Sequence, residues 1–148
     1  MGAVGAADVE LQVLVLGPLE VRANGEPIQL GGRRQQLVLA ALLCARDRPA
    51  TTDQLIHAVW GDAAPASAVG SLQAYLSRLR RLLGVDLIRR EVTGYRFRAT
   101  TGVVDSDRFE RDLEAADEAQ SRGDLEAIAT HCRRALGRWR GQRYLGDL

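Results

Sequence analysis

Residues 66–98 read ASAVGSLQAYLSRLRRLLGVDLIRREVTGYRFR, and they predict one long helix, a short turn and a basic β-hairpin. Apolar side chains recur in the helix at steps of three and four, the pattern of a helix that buries one face. They are Val69, Leu72, Leu76, Leu79 and Leu83, with Tyr75 and Leu82 widening the stripe. The opposite face then carries Ser77, Arg78 and Arg81, with Gln73 and Arg80 on its shoulders.

A helix that is buried on one side and rich in arginine on the other suits the DNA major groove. The hairpin that follows adds Arg89, Arg90, Arg96 and Arg98. Nucleic acid is therefore the leading hypothesis for the partner. The alternative for Arg78 and Arg80 is a solvated helix end, where the macrodipole favours cations, or an ion pair with Glu91 or the acidic residues downstream.

Charge is unevenly distributed along the 148 residues, although the net charge is only +1. Residues 33–98 hold eleven arginines and five acidic residues, whereas residues 99–128 hold three arginines and nine acidic residues. A basic block followed by an acidic block indicates two modules with different partners. The chain has no lysine, which is typical of a GC-rich coding genome.

The composition is that of a soluble, cytoplasmic globular protein. No apolar run approaches the roughly 20 residues that a membrane-spanning helix needs, and residues 1–10 are interpreted as a disordered leader rather than a secretory signal. Cys44 and Cys132 lie on apolar faces of predicted helices and are expected to be buried free thiols.

The order of the predicted elements is sheet, three helices, hairpin. Val- and Leu-rich segments flank Asn24-Gly25, a strong hairpin signal, and predict strands at 11–16, 19–22 and 27–30. Helices are expected from Arg33 to Ala45, from a cap at Thr51 or Thr52 to Trp60, and from a cap at Ser67 to Gly84. Residues 11–100 therefore predict an α+β fold, a winged helix-turn-helix with an extra N-terminal antiparallel sheet.

Residues 105–148 predict an α-helical hairpin of the type found in tetratricopeptide-like repeats. One helix face is marked by Phe109, Leu113, Ala116 and Ala119, and a second by Leu125, Ile128, Ala129, Cys132, Leu136 and Trp139. Such units typically need about three copies to be stable. Either this hairpin docks on the winged helix, or the chain is cut from a longer protein, and the second interpretation is favoured.

Several segments, in order from residue 11, resemble the SARP family, the antibiotic regulatory proteins of Streptomyces and related actinobacteria. The segments in the first part are LGPLEV at 16–21, GGRRQQ at 31–36, DQLIHAVWG at 53–61, LQAYLSRLRR at 72–81 and GYR at 94–96. Those in the second part are DRFE at 107–110, GD at 123–124 and LGRWRG at 136–141. The resemblance implies an OmpR-like winged helix followed by the start of a helical bacterial transcriptional activator domain.

The resemblance also implies an activator of transcription, here of a biosynthetic gene cluster, that binds promoter direct repeats as a homodimer and contacts RNA polymerase holoenzyme. The positions that match the family's DNA-binding residues are Gln73, Ser77, Arg78, Arg80 and Arg81 in the third helix and Arg90 in the wing. Two residues depart from the family pattern. Gly70 either shortens the helix or lets its backbone approach DNA, and Glu91 places a carboxylate in the wing, where Arg89 or Arg90 would have to substitute.

No Ser/His/Asp or Cys/His constellation, nucleotide-binding loop or ligand-spaced histidine is evident in the sequence, so neither enzyme activity nor a metal or other cofactor is expected. Two alternatives remain open. Winged helices also serve as protein-docking modules without sequence-specific DNA binding. A truncated regulator would instead occupy operators without recruiting polymerase.

Overall fold

The structure of the protein, a computed structural model, describes residues 9–46 and 48–148. The predicted disordered leader lies outside these residues except for Val9 and Glu10. Within the described part the elements follow the predicted order. They are β1 Leu11–Leu14, β2 Glu20–Ala23, β3 Glu26–Pro27, α1 Arg33–Cys44, α2 Thr52–Trp60, α3 Ala68–Leu83, β4 Ile88–Glu91, β5 Gly94–Phe97, α4 Asp105–Ser121 and α5 Leu125–Gly137.

The chain forms two compact units. The winged-helix unit runs from Leu30 to Thr100 and holds α1, α2, α3 and the β4–β5 hairpin. The sheet–hairpin unit combines the residues up to Gln29 with Thr101–Asp147, so β1–β3 and α4–α5 belong together although the 71 residues of the winged-helix unit separate these two segments in sequence. The domain limits inferred from the sequence, 11–100 and 105–148, stay a prediction; in the structure the residues of the N-terminal sheet group with the helical hairpin.

The N-terminal sheet is antiparallel and has the strand order β1-β2-β3. Val13 pairs with Val21 at its centre, and both side chains are fully buried. Asn24 and Gly25 adopt φ angles of 51° and 84° in the β2–β3 turn, the left-handed conformations that Asn-Gly favours in a two-residue hairpin. The third strand, Glu26–Pro27, is shorter than the predicted 27–30 and begins one residue earlier, although the Ile28 N–H still donates to the Val21 carbonyl at 2.8 Å.

The core of the winged-helix unit lies where its three helices meet the β4–β5 hairpin. Each element contributes side chains that are at most 8% exposed: Val38, Leu39, Leu42, Leu43, Leu55, Leu72, Leu76, Leu79, Leu83, Ile88 and Phe97. The apolar stripe predicted for the third helix supplies the α3 members of this core. Leu37, Val59 and Trp60 are half-buried at its margin.

Two members of the predicted apolar stripe on α3 are not buried. Val69 is 49% exposed and Leu82 is 41% exposed, because the buried ridge of α3 runs through Leu72, Leu76 and Leu79 and these two residues flank it. Cys44 is also exposed rather than buried, since it follows the buried pair Leu42 and Leu43 at the end of α1. Desolvation of its sulfur nevertheless raises the pKa of the Cys44 thiol, which keeps it protonated at neutral pH.

The two predicted helix caps behave differently. Thr51 begins α2 with a capping box: the Gln54 N–H donates to the Thr51 hydroxyl oxygen at 3.1 Å, and the Thr51 N–H donates to the Gln54 side chain at 2.9 Å. Ser67 occupies the corresponding position before α3, but its side chain makes no capping hydrogen bond. Thr51 is therefore confirmed as the cap of α2, whereas Ser67 occupies the N-cap position of α3 without a capping hydrogen bond.

The sheet–hairpin unit is held together by backbone hydrogen bonds between distant parts of the chain. The Val13 N–H donates to the Val103 carbonyl at 2.9 Å, and the Leu145 N–H donates to the Val15 carbonyl at 2.9 Å. The buried Asp105 carboxylate accepts the N–H groups of Val15 at 2.8 Å and Leu16 at 3.2 Å. Val103, which precedes α4, and Asp105, which begins it, therefore accept hydrogen bonds from backbone N–H groups in β1 and just after it.

The helices α4 and α5 pack against each other as the predicted hairpin. An ion pair between Asp112 and Arg138 links the segment after α5 to α4, and the Asp112 side chain is only 9% exposed. Leu113, Leu125 and Leu136, which we expected on the buried faces, are instead exposed. Cys132 is half-buried rather than buried. A two-helix hairpin buries only the strip that faces the neighbouring helix, so the outer part of each apolar face stays in solvent.

None of the helices within residues 9–46 and 48–148 combines the length and the apolar character that crossing a bilayer requires.

Candidate nucleic-acid interface

The outer face of α3 is the first component of the site. Leu72, Leu76 and Leu79 fix the helix against the core, and this orientation leaves the residues between them in solvent. Five exposed side chains occupy that face: Gln73, Ala74, Ser77, Arg78 and Arg81. The helix contains three arginines and no acidic residue, so its exposed surface is positively charged along the last two turns.

Aromatic contacts hold α3 against α2. The Trp60 ring stacks on Tyr75 with the ring centroids 6.3 Å apart and the planes at 27°. The Arg34 guanidinium lies 6.0 Å from the centroid of the Trp60 ring, within the range of a cation–π contact. Trp60 thus anchors α3 within the winged-helix unit.

The wing is the second component and consists of β4, β5 and their turn. Register pairs Arg89 with Arg96 and Arg90 with Tyr95. The wing carboxylate of Glu91 lies 3.1 Å from Nε of Arg96. An ion pair within the wing therefore offsets the charge of this carboxylate, which departs from the family pattern.

The wing is fixed to the loop before α2. Ala50 and Tyr95 exchange two backbone hydrogen bonds, with N–O distances of 2.8 Å from the Ala50 N–H and 2.9 Å from the Tyr95 N–H. This bridge brings Tyr95 beside α3. The backbone of Tyr95 therefore connects the wing to the helices.

Two adjoining grooves separate α3 from the wing, and Gln73, Leu76 and Tyr95 line both of them. Ser77, Arg80, Arg81 and Val85 complete the first groove. Arg90 and the turn residues Val92 and Thr93 contribute to the second. The fold thus brings together five of the six residues singled out from the sequence, whereas Arg78 lies outside both grooves on the exposed face of α3.

Arg80 differs from the other five candidates because it is half-buried. Its Nε atom is buried and has no hydrogen-bond partner within the described residues. Arg80 also lines the first groove, so part of its side chain faces that groove.

The sequence pattern did not identify Ala74 and Val92. Ala74 is exposed one residue after Gln73, on the helix face that it shares with Ser77 and Arg78. Val92 is fully exposed at the tip of the wing. An apolar residue at the turn of a hairpin, where polar residues are usual, is the signal in the sequence that identifies Val92.

Within residues 9–46 and 48–148, no group of three or more His, Cys, Asp or Glu side chains is arranged to hold a metal ion. The exposed side chains of α3 and the wing include arginine, glutamine and serine, the types that proteins use to bind phosphate oxygens and base edges.

Two family models match the chain. Residues 25–97 match the family described as "Transcriptional regulatory protein, C terminal", and residues 104–147 match "Bacterial transcriptional activator domain". These matches agree with the OmpR-like winged helix and the activator-domain hairpin that the sequence predicted.

Similar proteins are regulators from actinobacteria. The chain is 38% identical over 129 residues to the regulatory protein AfsR of Streptomyces coelicolor, which covers 86% of this chain and 13% of AfsR. It is 37% identical over 145 residues to the transcriptional regulatory protein EmbR of Mycobacterium tuberculosis, covering 93% of this chain and 37% of EmbR. It is 30% identical over 142 residues to the regulatory protein DnrI of Streptomyces peucetius, covering 88% of this chain and 52% of DnrI. The chain thus spans about half or less of the length of these relatives.

A solved structure of EmbR from Mycobacterium tuberculosis, in complex with a low-affinity phosphopeptide, matches with a TM-score of 0.91 at 34% identity and covers 95% of this chain and 38% of that one. The matched families and relatives are transcriptional regulators rather than enzymes, in agreement with the prediction from the sequence. The winged helix with its arginine-bearing third helix, the helical hairpin and these matches together establish that the chain belongs to the SARP family of transcriptional regulators.

Proposed function

We propose that the chain is a sequence-specific, double-stranded DNA-binding transcriptional activator in which α3 enters the major groove and the wing lies against the adjacent backbone. The observation that supports it is the exposed face of α3, which carries arginines and no acidic residue and is bordered by the wing arginine Arg90. An arginine-rich helix and a basic wing on one rigid core match the way winged helices and related motifs dock on DNA.

Different side chains in this proposal have different tasks. Gln73 pairs bidentately with adenine, and Arg78 reads guanine through O6 and N7, with Arg80 contributing from its half-buried position. Ser77, Arg81 and Arg90 contact phosphates, which fix the register of the protein and supply affinity that falls with salt.

One winged-helix unit presents a small surface, so two copies are needed for high affinity. We propose that two protomers occupy promoter direct repeats about one helical turn apart and that the activator domain contacts RNA polymerase holoenzyme. The genes controlled are proposed to form a biosynthetic cluster for a secondary metabolite. These properties are proposed for the whole protein, because this chain spans only part of the length of its relatives.

Selection from a random double-stranded DNA pool, repeated across a salt series, tests the proposal. We expect a short direct repeat to be enriched and the logarithm of affinity to fall linearly with the logarithm of salt concentration, by about 0.9 for each phosphate contacted. Enrichment of no sequence, or binding that does not respond to salt, would contradict it.

Replacement of Arg78 tests whether this side chain contacts a base or only a phosphate. Arg78→Ala is expected to weaken binding to the selected repeat by roughly 10- to 100-fold, because a bidentate contact to a base discriminates by about 1–3 kcal/mol. Binding to random DNA should change little. Arg122→Ala is the matched control, since Arg122 is exposed in the turn between α4 and α5 of the other unit. An equal loss on both DNAs would show that Arg78 touches phosphate alone.

The exposed leucines on α5 support a second candidate, a protein-docking module without sequence-specific DNA binding. Leu125 is 78% exposed and Leu136 is 68% exposed. Under this alternative the arginines of α3 meet an acidic protein surface, and replacing them removes a protein complex while the DNA selection enriches nothing. A regulator that occupies operators without recruiting polymerase would instead pass the DNA selection and fail a transcription assay.

A further inference from the structure

We infer that the sheet–hairpin unit binds a small organic anion, a carboxylate or phosphate group carried on an apolar body about the size of a benzene ring. The site is a cleft lined by β1, the start of α4 with the residues just before it, and the segment after α5. Neither α3 nor the wing contributes to its lining. The inference therefore goes beyond the proposed function and does not depend on it.

The cleft has the size of a small-molecule site. Its volume is about 140 Å³, and all of its lining residues belong to the sheet–hairpin unit. Leu14 and Val103 supply apolar walls, and Gln12 adds an amide. An apolar cavity of about 150 Å³ can bind benzene. The cleft therefore has room for one ring, or an aliphatic body of that size, with a polar group attached.

Positive charge dominates the polar part of the lining. Three guanidinium groups and one carboxylate line the cleft, a formal charge of +2: Arg108, Arg138, Arg140 and Asp105. Both oxygens of the carboxylate accept backbone N–H groups, those of Val15 and Leu16. Guanidinium groups match the planar geometry of carboxylate and phosphate oxygens. An anionic ligand is therefore the class that this lining favours.

Two of the arginines are held in place by partners outside the lining. Arg138 pairs with the buried Asp112, and Arg140 pairs with Glu20 at 3.2 Å. These contacts order the two side chains before a ligand arrives, which lowers the entropy cost of binding. The same carboxylates offset part of the charge of Arg138 and Arg140, so the charge that a ligand meets without competition is that of Arg108.

Arg108 has no acidic partner among the described residues. Its Nε donates to the Gly102 carbonyl at 2.9 Å, and the adjacent Asp107 carboxylate accepts the Gly102 N–H at 3.3 Å. Arg111, three positions further along α4, forms no ion pair within the described part of the chain either. A Cβ on Gly102 would lie 2.6 Å from a terminal nitrogen of Arg111, so this second guanidinium borders the same loop.

The pair Arg108 and Arg111 is unfavourable without a ligand. Like charges three positions apart on a helix repel each other. Arg108 is also the fourth residue of α4, near the helix end at which the macrodipole disfavours a cation. A bound anion would offset both effects, and this uncompensated charge beside the cleft is the observation that points to a ligand.

Titration of the wild-type chain with benzoate, phenyl phosphate and the neutral benzamide, at constant ionic strength, tests the inference. The backbone amide resonances of Gly102 and Val103 should shift saturably with an anion, with a Kd of about 1 mM or tighter. The resonance of Gly123, in the turn between α4 and α5, should not move. The two anions distinguish a carboxylate ligand from a phosphate ligand. Saturation by neither, or equal shifts with benzamide, overturns the inference.

The thermal stability of the chain gives a second measurement. The cleft is built from segments that come together only in the folded unit, so a ligand stabilises that unit by mass action. The anion that saturates the amide shifts should therefore raise the unfolding midpoint reported by Trp139 fluorescence, and benzamide should not. An unchanged midpoint at saturating anion would contradict binding to the folded cleft.

Arg108→Gln removes the uncompensated charge and keeps a polar side chain. It should weaken binding of the anion by about tenfold or more, the loss expected for a charge-assisted hydrogen bond. Arg122→Gln makes the same change of charge outside the cleft and should leave the affinity unchanged. Equal affinities of Arg108→Gln and wild type overturn the role of Arg108. Since DNA takes no part in these measurements, their failure leaves the proposed function intact, and a chain that selects no DNA sequence can still bind the anion.

Discussion

Gly94 shows how one residue fixes the position of the wing. It precedes Tyr95 in β5, at the point where the chain crosses the loop before α2. A Cβ on Gly94 would lie 2.0 Å from the Ala50 carbonyl oxygen and 2.9 Å from the Thr51 Cα. These are backbone atoms, so neither neighbour can rotate away. The absence of a side chain is therefore what allows Ala50 and Tyr95 to bridge the wing to the helices.

Gly94→Ala is expected to destabilise the winged-helix unit by about 1–3 kcal/mol, the range found when a side chain is forced into a close-packed site. Chemical denaturation followed by Trp60 fluorescence measures the change. Gly70→Ala, at a position with open space around the Cβ, is the control and should not lower the free energy of unfolding. Equal stability of Gly94→Ala and wild type would mean that the wing moves aside at no cost.

At the level of single residues, the sequence predicts exposure where helical periodicity determines it. It does not predict contacts that depend on a side chain from another element. The step of three and four in α3 predicted that Ser77, Arg78 and Arg81 are exposed, and they are. It did not predict that Arg96 pairs with Glu91, because that contact depends on the register of the hairpin. The half-burial of Arg80 likewise depends on how closely the wing lies against α3, which no local pattern encodes.

At the scale of elements, the starts of α2 and α3, two of the three helix starts in the winged-helix unit, form a natural comparison. Thr51 and Ser67 are both hydroxyl residues at a helix N-cap, yet only the Thr51 side chain accepts a capping hydrogen bond. The Thr51 backbone is extended, with φ −70° and ψ 159°, the conformation that directs the side chain to the third helical amide. Ser67 has ψ 3°, which directs its hydroxyl elsewhere.

Thr51→Ala is expected to cost about 1 kcal/mol of stability, since it removes the hydroxyl half of the capping box. Ser67→Ala should be close to neutral, because no capping bond is lost. Thermal and urea unfolding of the two variants measure the difference under identical conditions. A loss at Ser67 as large as that at Thr51 would show that Ser67 caps α3 in solution.

Elements were predictable to the extent that their signals are local. Hydrophobic period and capping residues located α1, α2 and α3 to within a residue or two, and Asn24-Gly25 located the turn between β2 and β3. The exposed ends of the apolar faces were not predictable. Leu125 and Leu136 continue the apolar stripe of α5, but burial depends on what packs against a helix and not on its own period.

At the scale of the whole chain, segments that are neighbours in sequence do not all belong to the same compact unit. The sequence places the N-terminal sheet beside α1, its nearest neighbour along the chain, whereas the contacts place the sheet with α4 and α5. Hydrogen bonds between residues some 90 positions apart bring this about, such as those from Val15 and Leu16 to Asp105. Such pairing leaves no local signature, because a buried aspartate at the start of a helix looks like an ordinary N-terminal acid in sequence.

The chain carries one tryptophan in each compact unit, Trp60 and Trp139, which allows the stability of each unit to be followed separately. In a Trp60→Phe background, fluorescence reports on Trp139. The ring of Trp139 lies edge-on to Phe109, with the ring centroids 5.8 Å apart. In a Trp139→Phe background, it reports on Trp60. The change to be tested is Asp105→Ala.

Asp105→Ala is expected to destabilise the sheet–hairpin unit by about 2–6 kcal/mol, because it leaves two buried backbone N–H groups without an acceptor, at about 1–3 kcal/mol each. The Trp139 transition should therefore move to lower denaturant. The Trp60 transition should stay in place, since the Asp105 carboxylate bonds to residues of its own unit. Asp117→Ala, on the exposed face of α4, is the control and should move neither transition. An equal shift of both transitions would mean that the two units unfold as one, and the division at residues 29–30 and 100–101 would then not describe independent folding.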